Sequence, residues 1–278
     1  MPRIRLIAGN WKMNKTVQEA VSTIESLKPR VAGLTGVEVA VSPPATALFP
    51  VKQALGNSAI ALAAQDLFWE KEGAFTGLIS PLMLREIGCK YVIIGHSERR
   101  GRFGKEDPSL TPELKRVFGD TDASVNRKAL AALAHGLLPI ICVGETLPER
   151  EAGLADRLVA QQAATALDAI SPDQVATLLF AYEPVWAIGT GQTCDAPEAN
   201  RIIGLLRRTV GDRFGPTPTA HLRILYGGSV TEKNAGELIA EPEIDGALVG
   251  GASLDPTRFA LICQAAAAVA GAVSYPTR

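Results

Sequence analysis

Eight short apolar runs, each followed by a helical pattern, recur along the chain. They start near Ile4 (IRLIAG), Val37 (VEVAVS), Ala59 (AIALAA), Tyr91 (YVIIG), Leu138 (LPIICVG), Leu178 (LLFAYE), Leu222 (LRILYGG) and Gly246 (GALVGG). They read as continuous apolar stretches rather than alternating ones. Strands read that way when both faces are buried, as in parallel sheets covered by helices. Eight such repeats in 278 residues predict an α/β chain closed into a (β/α)8 barrel, for which about 250 residues is typical. The competing layout is a doubly wound open sheet. It needs a Gly-x-Gly-x-x-Gly turn after the first strand, and the chain has Gly9-Asn10-Trp11-Lys12 there.

Helix starts carry their own marks. Ser80-Pro81, Ser171-Pro172 and Asp255-Pro256 each set a capping side chain before a Pro at the first helical position. Ser171 with Gln174 also fits a capping box. No linker divides the chain, so one domain over residues 1–278 is expected, with an insertion at about 101–117. There Phe103 to Leu110 (FGKEDPSL) is echoed by Phe118 to Val125 (FGDTDASV), as a local tandem duplication leaves it. Thr111-Pro112-Glu113 between the copies is a helix start. The alternative is a chance likeness of two charged turns.

Lys and Arg number 28 against 29 Asp and Glu, a net charge of −1. That balance argues against a general nucleic-acid or anionic-membrane surface. Four scattered cysteines without a Cys-x-x-Cys predict reduced thiols in a cytoplasmic protein. The apolar run within Met1 to Met13 is too short for a signal peptide. The stretch Phe259 to Val273 falls short of the ~20 residues a membrane span needs.

The ends of the strands hold the chemistry, because a parallel barrel gathers them at one mouth. Asn10-Trp11-Lys12 follows the first strand and His96-Ser97-Glu98-Arg99 the fourth. Glu183 ends the sixth, before Pro184 to Gly191; Tyr226-Gly227-Gly228-Ser229 and Gly250-Gly251 close the seventh and eighth. Glycine-rich turns leading into helices let an anion approach backbone N–H groups, and the last two strands are where barrels commonly hold phosphate. Lys12 adds a point charge. A small phosphorylated substrate is therefore expected. Glu183 suits a general base that takes a proton from carbon beside a carbonyl, with His96 as the neutral donor to the developing oxyanion. Pro184 reads as a stiff hinge and Ala187 to Gly191 as a mobile lid that keeps water out. Taken singly, each has a plainer reading: a glycine pair is a tight turn, Glu183 an ion-pair partner, His96 a core histidine, Glu98 part of a solvated charge cluster. Their convergence on one rim favours the site.

These residues also carry a resemblance. Ala8 to Asn14 (AGNWKMN), Gly73 to Gly77 (GAFTG), Ile94 to Arg100 (IGHSERR), Cys142 to Glu145 (CVGE), Ala181 to Gly191 (AYEPVWAIGTG), Tyr226 to Val230 (YGGSV) and Gly250 to Leu254 (GGASL) resemble the triosephosphate isomerase family. The resemblance runs over nearly the whole chain and implies a TIM barrel that isomerises a triose phosphate without cofactor or metal. It implies Glu183 as the proton shuttle, His96 as the electrophile, Lys12 as the stabiliser of enediolate and substrate charge, and Asn10 as a donor to substrate oxygen. Glu98 would position Lys12. Gly189, Ser229, Gly250 and Gly251 would bind phosphate through backbone N–H groups. The lid would be Pro184, Val185, Trp186, Ala187, Ile188, Gly189, Thr190 and Gly191, latched by Tyr226 and Ser229.

The resemblance further implies a homodimer through the loop around Thr76. Members of the family usually carry Glu at the position of Leu78, paired with the neighbouring subunit's equivalent of Arg99, so that contact is expected to differ here. A relative acting on a four-carbon ketose phosphate would show an altered lid. A barrel kept only for binding would have lost Lys12, His96 or Glu183. The chain shows neither change.

Overall fold

The computed structural model describes residues 3–105 and 107–272. Met1 and Pro2 of the N-terminal stretch, Glu106 of the repeated segment and Val273 of the apolar C-terminal stretch lie outside the described residues.

The eight runs are strands: β1 (Arg5–Asn10), β2 (Val37–Ser42), β3 (Ala61–Ala64), β4 (Tyr91–Ile94), β5 (Leu138–Val143), β6 (Leu179–Tyr182), β7 (Arg223–Tyr226) and β8 (Gly246–Val249). Each pairs in parallel with the next, and β8 returns to β1 with Leu6 opposite Gly246, closing the barrel. Alternate residues of each strand face inward and outward. Leu6, Ala8, Ala40, Tyr91, Ile93, Ile140, Leu179 and Leu225 fill the interior. Ile7, Val39, Val41, Val92, Ile141, Phe180 and Ile224 meet the helices outside. Both faces are dry, which is why the strands read as unbroken apolar runs.

The caps form as the sequence dictates. The Ser80 hydroxyl accepts from the Met83 N–H at the head of the helix Pro81–Ile87. Asp255 accepts from the N–H groups of Thr257 and Arg258 at the head of Pro256–Ala272. Ser171 and Gln174 form their reciprocal box, but on a single turn, Pro172–Val175, because the chain reaches β6 only four residues later. The turn after Thr111 is 3-10, Leu114–Val117, started by the Thr111 hydroxyl accepting from the Leu114 N–H. Among the described residues no helix is long and apolar enough to cross a membrane.

Candidate active site

All eight strands run the same way, so their C-terminal ends share one mouth. Asn10 is the last residue of β1, His96 lies just past β4, Glu183 just past β6, and Gly250 just past β8. The structure brings Asn10, Lys12, His96, Glu183, Ile188, Gly189, Ser229, Gly250 and Gly251 to the wall of one cleft of about 410 Å³. Glu98 lines an adjoining cleft of about 470 Å³, shared with Lys12 and His96.

His96 and Glu183 are both buried, with His96 Nε2 2.9 Å from Glu183 Oε1. The His96 Nδ1 accepts from the Glu98 backbone N–H at 3.2 Å. An imidazole nitrogen that accepts carries no proton, so the neutral ring holds its proton on Nε2, facing the cleft. Glu183 Oε2 accepts from the Ser97 N–H at 2.9 Å. Its Oε1 is buried without a well-aligned hydrogen bond, close to the donor that a substrate oxygen would need. Burial pushes the Glu183 carboxyl up; nearby His96, the Ser97 N–H and the Lys12 charge outweigh it and hold the group below its ordinary value. The β5 end runs hard against this residue: a Cβ on Gly144 would meet the Glu183 carbonyl oxygen at 1.7 Å, so only glycine fits there.

Lys12 stands in the left-handed region, with φ at 52°. For a residue with a Cβ that conformation costs about 1–2 kcal/mol and needs support. Its N–H donates to Asn10 Oδ1 at 3.0 Å, and its carbonyl accepts from Gln65 Nε2 at 2.8 Å. Gln65 also donates to the Ser42 carbonyl at 2.9 Å, so one amide ties the loops after β1 and β2 together. The Lys12 ammonium lies 2.6 Å from Glu98 Oε1. Gln65 was missed by the sequence reading; its one signal is a polar side chain directly after the buried end of β3.

The lid segment rests on Glu145, also missed although it closes a quoted motif. Glu145 is fully buried and accepts from the Trp186 indole N–H at 2.8 Å and the Tyr182 hydroxyl at 3.1 Å. Its carbonyl accepts from the Val185 N–H at 3.0 Å. The Arg150 guanidinium stacks over the Trp186 ring at 4.7 Å. Burial raises the Glu145 carboxyl, and the two donors only partly offset it. Ser229 Oγ donates to the Ala187 carbonyl at 2.9 Å, within the lid. The Tyr226 hydroxyl meets the Cys194 carbonyl at 3.5 Å, three residues past Gly191.

Arg99 is paired inside its own chain. Its Nε lies 3.0 Å from Asp66, which also binds the buried Lys128 ammonium at 2.7 Å. Lys128 bridges on to Asp120, at 2.7 Å. Burial raises the Asp66 carboxyl, with Lys128 pulling the other way. Removing the shared cation leaves buried Asp120 without its ion pair and Asp66 with Arg99 alone, and breaking a buried pair costs about 3–5 kcal/mol. Lys128→Met is therefore expected to lower the denaturant midpoint by an amount equivalent to about 3 kcal/mol; a loss below about 1 kcal/mol contradicts the reading of the network.

Among the described residues no group of three or more His, Cys, Asp or Glu is placed to hold a metal ion. The barrel interior holds the Cys142 thiol, which burial, followed by the charge of Glu183, raises well above its ordinary value, leaving it a packing group.

The family model for triosephosphate isomerase matches residues 5–266. A triosephosphate isomerase of Symbiobacterium thermophilum is 49% identical over 95% of this chain and 98% of its own length. Those of Moorella thermoacetica and Chloroflexus aurantiacus are 51% and 49% identical, each over 92% of this chain and 96% and 97% of their own. With a closed eight-stranded barrel and this extent of identity, the chain belongs to the triosephosphate isomerase family.

Proposed function

We infer that the chain interconverts dihydroxyacetone phosphate and D-glyceraldehyde 3-phosphate by proton transfer through an enediolate. The observation that carries this is a buried carboxylate beside an imidazole whose only proton faces the same cleft. Glu183 takes the proton from the carbon next to the carbonyl. The electron pair left behind becomes the carbon–carbon double bond, and the carbonyl oxygen takes the negative charge. His96 Nε2–H and Lys12 stabilise that oxygen, with Asn10 as a further donor. The ring then relays a proton between the two oxygens, and Glu183 returns its proton to the neighbouring carbon. Atoms and charges balance without a cofactor or metal.

The phosphate is held by the N–H groups of Gly189, Ser229, Gly250 and Gly251. These four take part in none of the loop or turn hydrogen bonds found among the described residues, which supports their being reserved for a ligand. Glu98 fixes the Lys12 ammonium. Pro184 to Gly191 close over the site, with Tyr226 and Ser229 on the opposing turn.

The assembly is a homodimer in the cytoplasm. Residues 70–78 are all exposed, including Phe75, Thr76 and Leu78, and nearby Met13, Leu82 and Met83 also show apolar surface. A second copy's loop around Thr76 suits the cleft beside Lys12 and Glu98. The acid that members of the family usually place at Leu78 is replaced by Asp66 of the same chain, so Arg99 keeps a partner without the neighbour. Residues 101–117 are an insertion in a single domain.

A coupled assay for glyceraldehyde 3-phosphate formation, run beside four-carbon ketose phosphates, tests the substrate. Turnover of the triose at least 100-fold above the four-carbon sugars is expected; equal or reversed preference overturns the reading. The pH profile follows from Glu183. A carboxyl held below its ordinary value stays ionised down to that lower pH, so kcat/KM referred to the substrate dianion, whose phosphate itself protonates at about pH 6, holds through the ordinary carboxylate range and falls only beneath it. An acid limb at or above the ordinary glutamate value contradicts the assignment.

A further inference from the structure

The segment after β4 reaches the lid. Its first Phe-Gly pair, Phe103-Gly104, leaves the barrel mouth and lies against residues 185–190. A Cβ built on Gly104 would meet the Ile188 carbonyl oxygen at 2.3 Å, the Val185 carbonyl oxygen at 2.4 Å and the Thr190 methyl at 3.2 Å. The second pair does nothing of the kind: a Cβ on Gly119 would meet only the Arg116 carbonyl oxygen, at an ordinary 3.5 Å. Neither glycine has a left-handed φ, so the difference between them is one of contact and not of backbone strain.

The segment is tied down by the two residues just before that contact. Arg102 donates to the Gly144 carbonyl at 3.2 Å and forms an ion pair with Glu149. Phe103 stands edge-on to Phe118 at 5.2 Å. Gly144 follows β5 and Glu149 lies in the short helix Leu147–Glu151 just beyond it, the stretch that also supports the lid through Glu145, so Gly104 and the lid share one foundation.

The lid conformation that Gly104 touches is the one in which Glu183 is parked on the Ser97 N–H and beside His96 Nε2. To reach a substrate carbon the carboxylate must leave those positions, and Pro184 and Val185 follow it directly in the chain. We propose that Gly104 is a positioning residue, a seat that holds the lid in this parked conformation and is vacated when the lid closes on the phosphate. A contact made in one state and lost in the other biases the equilibrium toward the first. The seat thus favours the parked state, opposing closure and easing product release. This rests on the lid and base reading given above.

The probe is 2-phosphoglycolate, a phosphorylated two-carbon carboxylate that the closed lid would enclose. In Gly104→Ala the added methyl clashes with two backbone carbonyls in the parked state alone, which favours closure. Its inhibition constant for 2-phosphoglycolate is expected to fall roughly tenfold, the scale that overpacking against a fixed neighbour produces. KM falls with it, while kcat falls or holds. Gly119→Ala should leave KM, kcat and inhibition unchanged, and melting temperatures separate these effects from a general loss of folding. Unchanged or weaker inhibition of Gly104→Ala, with the unaltered chain inhibited normally, overturns the seat. Failure of 2-phosphoglycolate to inhibit the unaltered chain overturns the site reading itself.

Discussion

Glu183→Asp is expected to lower kcat by roughly 100-fold while KM stays within about twofold, because a misplacement of about 1 Å at the reacting centre is enough for a loss of that order. The substitution keeps the charge and withdraws the carboxylate by one methylene. The backbone N–H groups that would hold phosphate stay in place: the turns at Ser229 and Gly250 follow other strands, and Gly189, on the loop after Glu183, would bind through its main chain. The fall therefore belongs to the chemical step, the pattern of an interaction made in the transition state and not in the ground state. Steady-state kinetics in both directions check it. An unchanged kcat removes Glu183 from the role of base. A raised KM with kcat intact would make it a binding residue.

Lys12→Ala is expected to damage both constants. Loss of a donor to a developing oxyanion lowers kcat by roughly 10²–10³-fold. The same ammonium is assigned to the substrate's charge, so KM is expected to rise as well, by roughly tenfold on the scale of a charge-assisted hydrogen bond. Two features of the structure deepen the loss. Glu98, now 2.6 Å from the ammonium, is left as an uncompensated negative charge beside a negative substrate. The position itself, at φ 52°, remains strained for alanine, though Gln65 and Asn10 still hold the loop. The melting temperature should therefore change little while catalysis collapses. Normal inhibition by 2-phosphoglycolate in this variant contradicts the assignment of Lys12 to the substrate's charge.

The strands were legible because burial on both faces writes one pattern into all eight, and every expected start lies within two residues of the observed one. The reactive groups were legible for a related reason: parallel strands turn a repeated sequence position, the residue just past the apolar run, into one place in space. What the sequence could not show are side chains whose task is to hold backbone. Gln65 and Glu145 contact partners 53 and 41 positions away, and nothing in their own neighbourhood distinguishes them from a polar loop residue. Nothing in the residues around Lys128 sets it apart, yet it is buried between Asp66 and Asp120. Leu78 was seen to lack the usual acid. That Asp66 supplies another to Arg99 depends on how the loop after β3 folds back, which no local pattern encodes.

The measurement closest to the central claim is the isomerisation run in deuterium oxide, with the product's reacting carbon read by proton NMR. If Glu183 carries the hydrogen as a proton through an enediolate, the product gains solvent deuterium at that carbon, and the incorporation slows in step with turnover in Glu183→Asp. A product that keeps all its original hydrogen there, moved as a hydride from carbon to carbon, would contradict the account.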